Sequence, residues 1–466
     1  MSIAVALDLG TTTIKAGLLS QDGTLGGIVA RPAPAIAAEA GCYESDGAAY
    51  AQTADEVLAA CLVQTALRPP LGLCSQRSSF LIWERSSGTP VIPLISWQDD
   101  RGAESCAALQ AQEGFIRDLT GLPLAPYYLA PKLRVLLRGH PSWRERLLSG
   151  AWLLGKLDTY LIWRWTDGKH HLTDASMAAR TLLMDIRRQQ WSPALCKLFD
   201  IPRQILPQIG PSSGLALRLN NGLLLNASLA DQSAALAASI SPTRPEALVN
   251  LGTGGFVVCY LPEKRNAPDG YLQTLVWQDE RQRVLLASEG TLNSIAAALA
   301  PYPADACRVE ELAGDDIFCL AEPSGLGAPY FRGDVGVTFS EAVAHLPSRH
   351  IALLLLEGII FRVARILEDF HREFGIESAY LSGGLSGLHC LQQGIALCAP
   401  CTVYRLAQAD ASLSGAARLA AGAPFAGHKE AARIDIPPAM GRLAEKFARW
   451  KVWLDGLVAA SPSGRG

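Results

Sequence analysis

The chain has 466 residues, 49% of them hydrophobic, with 41 basic and 44 acidic residues and a formal net charge of −3. That length outgrows one ordinary core and implies two domains of about 200 residues or more each. Charge this small, with the two signs mixed along the chain, argues against nucleic acid or a membrane surface as partner and for a small molecule.

In chain order, Ile3 to Leu7 is a short apolar strand that reaches Asp8 before a signal or membrane segment develops. Asp8-Leu9-Gly10-Thr11-Thr12-Thr13 follows, then a second strand from Ile14 to Leu19 and a turn at Gln21-Asp22-Gly23. This pattern predicts a β-hairpin with a polar, glycine-bearing tip. Ala54 to Leu67 has helical spacing, and Leu71 to Cys74 and Phe80 to Glu84 read as strands. His170 and His171 fall in a polar turn that predicts exposure, and Ser228 to Ser239 again has helical spacing. Ala247 to Leu261 repeats the opening pattern, strand, Gly252-Thr253-Gly254-Gly255, strand, which suggests two related halves. A long helix is predicted from Ser348 to Phe374, a short strand from Ser378 to Leu381 running into Ser382-Gly383-Gly384, and an amphipathic stretch from Gly441 to Leu457. Alternating strands and helices make the class α/β. The expected domains are 1–240 and 241–425, followed by a C-terminal helix and tail over 426–466.

Eleven cysteines, scattered from Cys42 to Cys401, read as reduced thiols of a cytoplasmic protein. Cys398 and Cys401 form a CxxC without a second pair or nearby His, and are expected to be buried structural thiols rather than zinc ligands.

The segment from Asp8 to Lys15 gathers what polyphosphate binding needs: Gly10 for close approach, Thr11, Thr12 and Thr13 for hydroxyl and amide donors, Lys15 for charge, and Asp8 to hold magnesium through water. A hairpin turn with β-branched residues explains the same letters equally well. Gly252-Thr253-Gly254 is a second candidate phosphate loop, whose plain reading is a tight turn. Asp231 is a lone carboxylate opening an alanine-rich helix, suited to a helix cap or to taking a proton from an acceptor hydroxyl. Gln76, Arg77 and Trp97 suit a polyhydroxylated ligand, with donors for its hydroxyls and an indole face for its C–H side.

From about residue 3 to about residue 423 these pieces resemble the FGGY carbohydrate kinase family, most closely its glycerol kinase branch and also xylulokinase. The resemblance rests on Ala6 to Thr12, Ser75-Gln76-Arg77, Ile82-Trp83-Glu84, Ser96 to Arg101, Thr120-Gly121-Leu122-Pro123 with Pro126-Tyr127, Thr173-Asp174-Ala175-Ser176, Asp231-Gln232, Gly252-Thr253-Gly254, Ser324 to Tyr330 and Ser382-Gly383-Gly384. It implies the two-domain actin-like ATPase (ribonuclease H-like) fold, each domain a mixed sheet flanked by helices with a ligand cleft between them, and ATP-dependent phosphorylation of a hydroxyl of a sugar or polyol. It further implies that Gly10 to Lys15 hold the β- and γ-phosphates, that Asp8 helps hold Mg²⁺, and that Gly252, Thr253 and Gly254 contact phosphates. Gly383 and Gly384 match the adenosine loop, and Asp231 matches the catalytic base. Gln76 joins Arg77, Trp97, Tyr127, Asp231 and Gln232 as the expected polyol pocket. A homodimer is one candidate assembly.

The sequence departs from the glycerol kinase pattern at Ser78, where an acidic residue is expected, and at Leu388, where an Asn is expected. Leu299 to Asp316 is shortened relative to the family. A non-catalytic sugar- or nucleotide-binding sensor on the same fold is the alternative these departures motivate.

Overall fold

The structure, a computed structural model, describes residues 2–407, 410–423, 425, 431–436 and 441–460. Contacts divide the chain into two compact units that interleave in sequence. The first comprises Met1–Ala238, Gln273–Leu286 and Asp410–Ala426; the second comprises Ser239–Leu272, Ala287–Ala409 and Gly427–Gly466.

The main sheet of the first unit has six strands in the spatial order Ser213–Arg218, Leu224–Ala230, Leu71–Ser75, Ser2–Leu9, Thr13–Ser20, Leu25–Pro32. Ser2–Leu9 pairs antiparallel with Thr13–Ser20 and parallel with Leu71–Ser75, which in turn lies parallel to Leu224–Ala230. Covered on both faces, the central strand is apolar at every position from Ala4 to Leu7. Its side chains alternate: Val5, Leu7 and Leu9 join one core cluster with Tyr50, Ala54 and Val57 of the helix Gly47–Leu62. Ala4 and Ala6 join the other, with Ala416 and Ala417 of the helix Ala411–Ala420. The second face is lined by small residues because the backbones approach closely. A Cβ at Gly72 would stand 2.1 Å from Ala416 O, and one at Gly415 would stand 1.8 Å from Ala234 O. A smaller antiparallel sheet of the same unit orders Ala37–Glu39, Cys42–Ser45, Leu94–Ile95, Phe80–Glu84 and Trp152–Lys156.

The sheet of the second unit contains, in spatial order, Val284–Leu292, Gly255–Tyr260, Glu246–Leu251, Ser378–Ser382, Thr402–Leu406 and Ala431–Arg433. Its pairings run antiparallel, antiparallel, parallel, parallel, antiparallel. Reading the first unit's sheet from Leu25–Pro32 inward gives the same succession, so the two hairpins with glycine tips are equivalent parts of two like-built sheets. The helix Ser348–Phe374 crosses this core and ends at Gly375, whose φ of 69° and N–H bond to His371 O (2.8 Å) make the left-handed cap that glycine favours. The late amphipathic helix is Gly441–Ala459, seated by Trp450 against Phe361 at 5.5 Å between ring centroids.

Three expectations change. Of the segment Ser228 to Ser239, read as helical in spacing, the residues up to Ala230 belong to the strand Leu224–Ala230, and the helix opens at Asp231, the carboxylate expected at its start. The helix predicted over Ala54 to Leu67 runs Gly47–Leu62 instead, started by Asp46, which accepts from the amides of Ala48 and Ala49 at 2.9 and 3.0 Å. His171 is not an exposed turn residue: its Nε2 donates to Leu154 O at 2.8 Å, its ring meets Trp83 edge-on, and burial lowers its pKa. Among the described residues no helix is long and apolar enough to cross a membrane, and no group of three or more His, Cys, Asp or Glu suits a metal ion.

Candidate active site

Three neighbouring parallel strands of the first unit end on one line. Ala230 lies opposite Ser75 and Ser75 opposite Leu9, so Asp231, Gln76-Arg77 and the Gly10 loop all leave the sheet from the same edge. At about 4.8 Å between strands they depart within roughly 10 Å of one another. The carboxyl ends of parallel strands are where open α/β sheets place ligands.

The Gly10 loop is tightly drawn. Tyr50 OH donates to Gly10 O at 2.5 Å, and a Cβ on Gly10 would sit 2.7 Å from Thr13 O. Because that obstacle is backbone, Gly10→Ala must open the turn, at an expected cost of ~1–3 kcal/mol in a denaturant titration; unchanged stability would show the turn has slack. Thr11 sits in a relay: Trp97 Nε1 donates to Thr11 Oγ1 (3.0 Å), which donates to Gln76 Oε1 (3.1 Å). Ser79 Oγ also donates to Gln76 Oε1 (3.0 Å) and accepts from the Trp97 amide (2.9 Å). Trp97 is nonetheless 41% exposed. Thr12 is exposed and Thr13 begins the second strand of the hairpin.

Arg77 Nη2 donates to Gln232 Oε1, bridging the second and third strand ends. Asp231 opens the helix Asp231–Ser239 and accepts from the Gln232 amide at 2.7 Å, so it serves the helix start as well as facing its neighbours. Desolvation raises its pKa above the usual carboxylate range, opposed by Arg77 and Arg180. Tyr127 stands further along this chain of contacts. Its OH donates to Tyr128 OH (2.9 Å), and the Tyr128 ring lies under the Arg180 guanidinium at 5.6 Å.

Asp8 and Lys15 are paired across the hairpin. The helix Ala411–Ala420 meets both: Ser412 Oγ donates to Asp8 Oδ2 at 2.6 Å, and Lys15 Nζ lies 2.5 Å from Asp410 Oδ1. Asp8 Oδ1 is buried without a hydrogen-bond partner, Cys74 offers the carboxyl only a weak thiol donor, and the carboxyl is pushed up to about 6, chiefly by desolvation.

In the second unit, Gly252-Thr253-Gly254 and Gly383-Gly384 leave the adjacent parallel strands Glu246–Leu251 and Ser378–Ser382 at the same end, where Asn250 faces Ser382. Gly383 has φ +87°, and a Cβ there would lie 2.5 Å from Leu251 O. Gly252 N donates to Gly254 O at 2.9 Å, and Thr253 O accepts from Ala296 N at 3.2 Å. Leu388, half-buried, packs against the core of this unit.

Sequence reasoning missed Tyr50, Ser79, Asp410 and Ser412, and also Lys132. The last is fully buried, and its Nζ donates to Ser78 O (3.2 Å) and Ser96 O (2.7 Å), the carbonyls beside Arg77 and Trp97. Two acceptors match the two N–H bonds of a neutral amine, and desolvation lowers the Lys132 pKa to about 7. The unfolded chain, near 10.4, therefore binds more protons between about pH 7 and 10, and stability from this group rises with pH across that window. The slope of stability against pH should be steeper in the wild type than in Lys132→Met; equal slopes by denaturant titration would contradict the assignment.

Residues 3–230 match the N-terminal domain of the FGGY family of carbohydrate kinases and residues 247–423 match its C-terminal domain. The chain is 30% identical over 485 residues to a glycerol kinase of Alkalilimnicola ehrlichii, covering 97% of each protein. It is 32% identical over 448 residues to a glycerol kinase of Rhodopirellula baltica, covering 89% of this chain and 82% of that one. Among solved structures, Plasmodium falciparum glycerol kinase with ADP is similar at TM-score 0.84 and 21% identity over 98% of each chain. A xylulose kinase from Brucella ovis is similar at TM-score 0.85 and 22% identity, over 98% of this chain and 100% of that one. These likenesses show the actin-like ATPase fold. With both domains matched in order along most of its length, the chain belongs to the FGGY family of carbohydrate kinases.

Proposed function

We propose that the protein transfers the γ-phosphoryl group of ATP in line to a hydroxyl of a small sugar or polyol, with Asp231 as the base. The observation that carries this reading is the shared edge of three strand ends, which gathers a carboxylate, the Arg77–Gln232 pair and the Gly10 loop. Ionised Asp231 takes the proton of the acceptor hydroxyl, and the desolvation that raises its pKa makes it a stronger base than an exposed carboxylate. Arg77, Gln232 and Tyr127 orient the acceptor's hydroxyls, while the indole of the exposed Trp97 takes its C–H side. The Gly10 loop, with Thr11, Thr12 and Thr13, and Gly252, Thr253 and Gly254 of the second unit are assigned to the phosphates. Gly383 and Gly384 are assigned to the adenosine. Lys15 shares its charge between Asp410 and the terminal phosphate.

Asp8 fits Mg²⁺: one carboxylate oxygen is buried without a hydrogen bond, and a cation offsets the desolvation that raises its pKa. When bound, the ion neutralises charge on the phosphate oxygens.

Ser78 offers the acceptor no carboxylate, and its hydroxyl donates inward to Arg180 O at 3.3 Å. A charged hydrogen bond is worth about 1.5–3 kcal/mol, so the preferred acceptor differs from one that depends on an acid there. A coupled ADP-release assay across glycerol, xylulose, ribulose, gluconate and erythritol tests the reading. ADP release dependent on one of these acceptors supports it; binding of acceptor and nucleotide without ADP release favours the sensor.

A further inference from the structure

Resting on the assignment of Asp231 as base, we propose that Ser176, held by Asp174, is a positioning residue that fixes Asp231 through the amide of Ala230. Asp174 is fully buried at the end of the strand Leu172–Asp174 and caps the short helix Ala175–Ala179. Its Oδ2 accepts from the Ser176 amide (2.8 Å) and Ser212 Oγ (2.6 Å). Its Oδ1 accepts from the Met177 amide (2.9 Å) and Ser176 Oγ (3.1 Å). The two amides already satisfy the cap, so the Ser176 hydroxyl is surplus to the helix start. With its proton committed to Asp174, that hydroxyl presents a lone pair to Ala230 N, which donates at 2.9 Å.

Ala230 is the last residue of its strand and Asp231 the first of the helix that follows. The chain turns between them, so the bond from Ala230 N sets where the Asp231 carboxylate starts. Ser176 is itself fully buried, and the polar atoms it joins have no solvent to replace it. A second observation comes from the other end of the same short helix. Arg180, its C-terminal cap residue, acts electrostatically on Asp231 and lies over Tyr128. One five-residue helix thus bears on Asp231 twice, through backbone position at its start and through charge just past its end.

Steady-state kinetics of full-length variants, read by ADP release with the acceptor that supports wild-type turnover, test the proposal. Ser176→Ala is expected to lower kcat by roughly 10- to 100-fold, the scale of a misplacement of about 1 Å, with KM for acceptor and nucleotide within about twofold. Ser176→Thr retains the hydroxyl and should return kcat to within about threefold of wild type; an unchanged kcat in Ser176→Ala, or a folded Ser176→Thr as slow as Ser176→Ala, overturns the proposal. Should Ser176→Ala fail to fold, Ser176→Cys replaces it as a variant of similar size and weaker acceptor strength. It should be slower than Ser176→Thr, and equal rates overturn the proposal. Asp231→Asn is measured alongside. Wild-type turnover in that variant defeats the base assignment itself, whereas an inactive Asp231→Asn beside a fully active Ser176→Ala defeats only the positioning role.

Discussion

Asp231→Asn is expected to lower kcat by roughly 10²-fold or more, the usual cost of losing a general base, while nucleotide affinity stays within about twofold. The substitution is nearly isosteric, and the asparagine carbonyl still accepts from the Gln232 amide that Asp231 engages at 2.7 Å. What disappears is a half-buried negative charge that Arg77 and Arg180 stabilise and that raises the pKa of Asp8. Because desolvation is the largest influence on that carboxyl, removing its charge should not unfold the protein. The loss is therefore chemical, and ADP release with a nucleotide titration separates it from a binding defect. Wild-type turnover in this variant would contradict the assignment.

Arg362→Ala is expected to destabilise the second unit by about 3–5 kcal/mol, the cost of leaving a buried charge without its partner. Arg362 and Glu322 are 0% and 1% exposed, and Arg362 Nε donates to Glu322 Oε1 at 2.6 Å. Arg362 Nη2 also holds Thr291 O (3.2 Å) and Ala328 O (2.9 Å), and its guanidinium lies 5.2 Å from the Tyr330 ring centre. Glu322 uses its other oxygen on the amides of Asn293 (2.9 Å) and Gly327 (2.8 Å). The pair therefore fastens the segment around Gly327 to the end of the strand Val284–Leu292 and to the long helix. Removing the cation alone leaves a carboxylate in the core, so Arg362→Met with Glu322→Gln should recover part of the loss. Denaturant unfolding of the single and double variants is the measurement. A single variant within about 1 kcal/mol of wild type would show that the pair behaves like an exposed one.

Both hairpins were legible because strand, glycine-threonine tip and strand follow each other locally. The same holds for the long helix, whose bounds Ser348 and Phe374 match the structure. What local pattern cannot supply is register between strands joined by long crossovers. Nothing in the letters says that Ala230, Ser75 and Leu9 end on one line, nor that Asp410 and Ser412 return to Lys15 and Asp8 across some 400 positions. Asp231 marked the start of its helix, but the strand ahead of it was hidden because a buried strand and an alanine-rich helix read as one apolar run. His171 was misread because polar neighbours surround a residue whose own partner, Leu154 O, lies 17 positions earlier. Lys132 gave no signal, since a buried lysine is recognisable only once its two carbonyl acceptors are in place.

The most direct test of the phosphoryl-transfer claim follows the γ-phosphate itself, using γ-labelled ATP with each candidate acceptor and chromatographic separation of the products. Label in a phosphate ester of a sugar or polyol, formed by the wild type and lost in Asp231→Asn, is the predicted result. Label that stays in ATP, or appears only as inorganic phosphate while acceptors demonstrably bind, would contradict it.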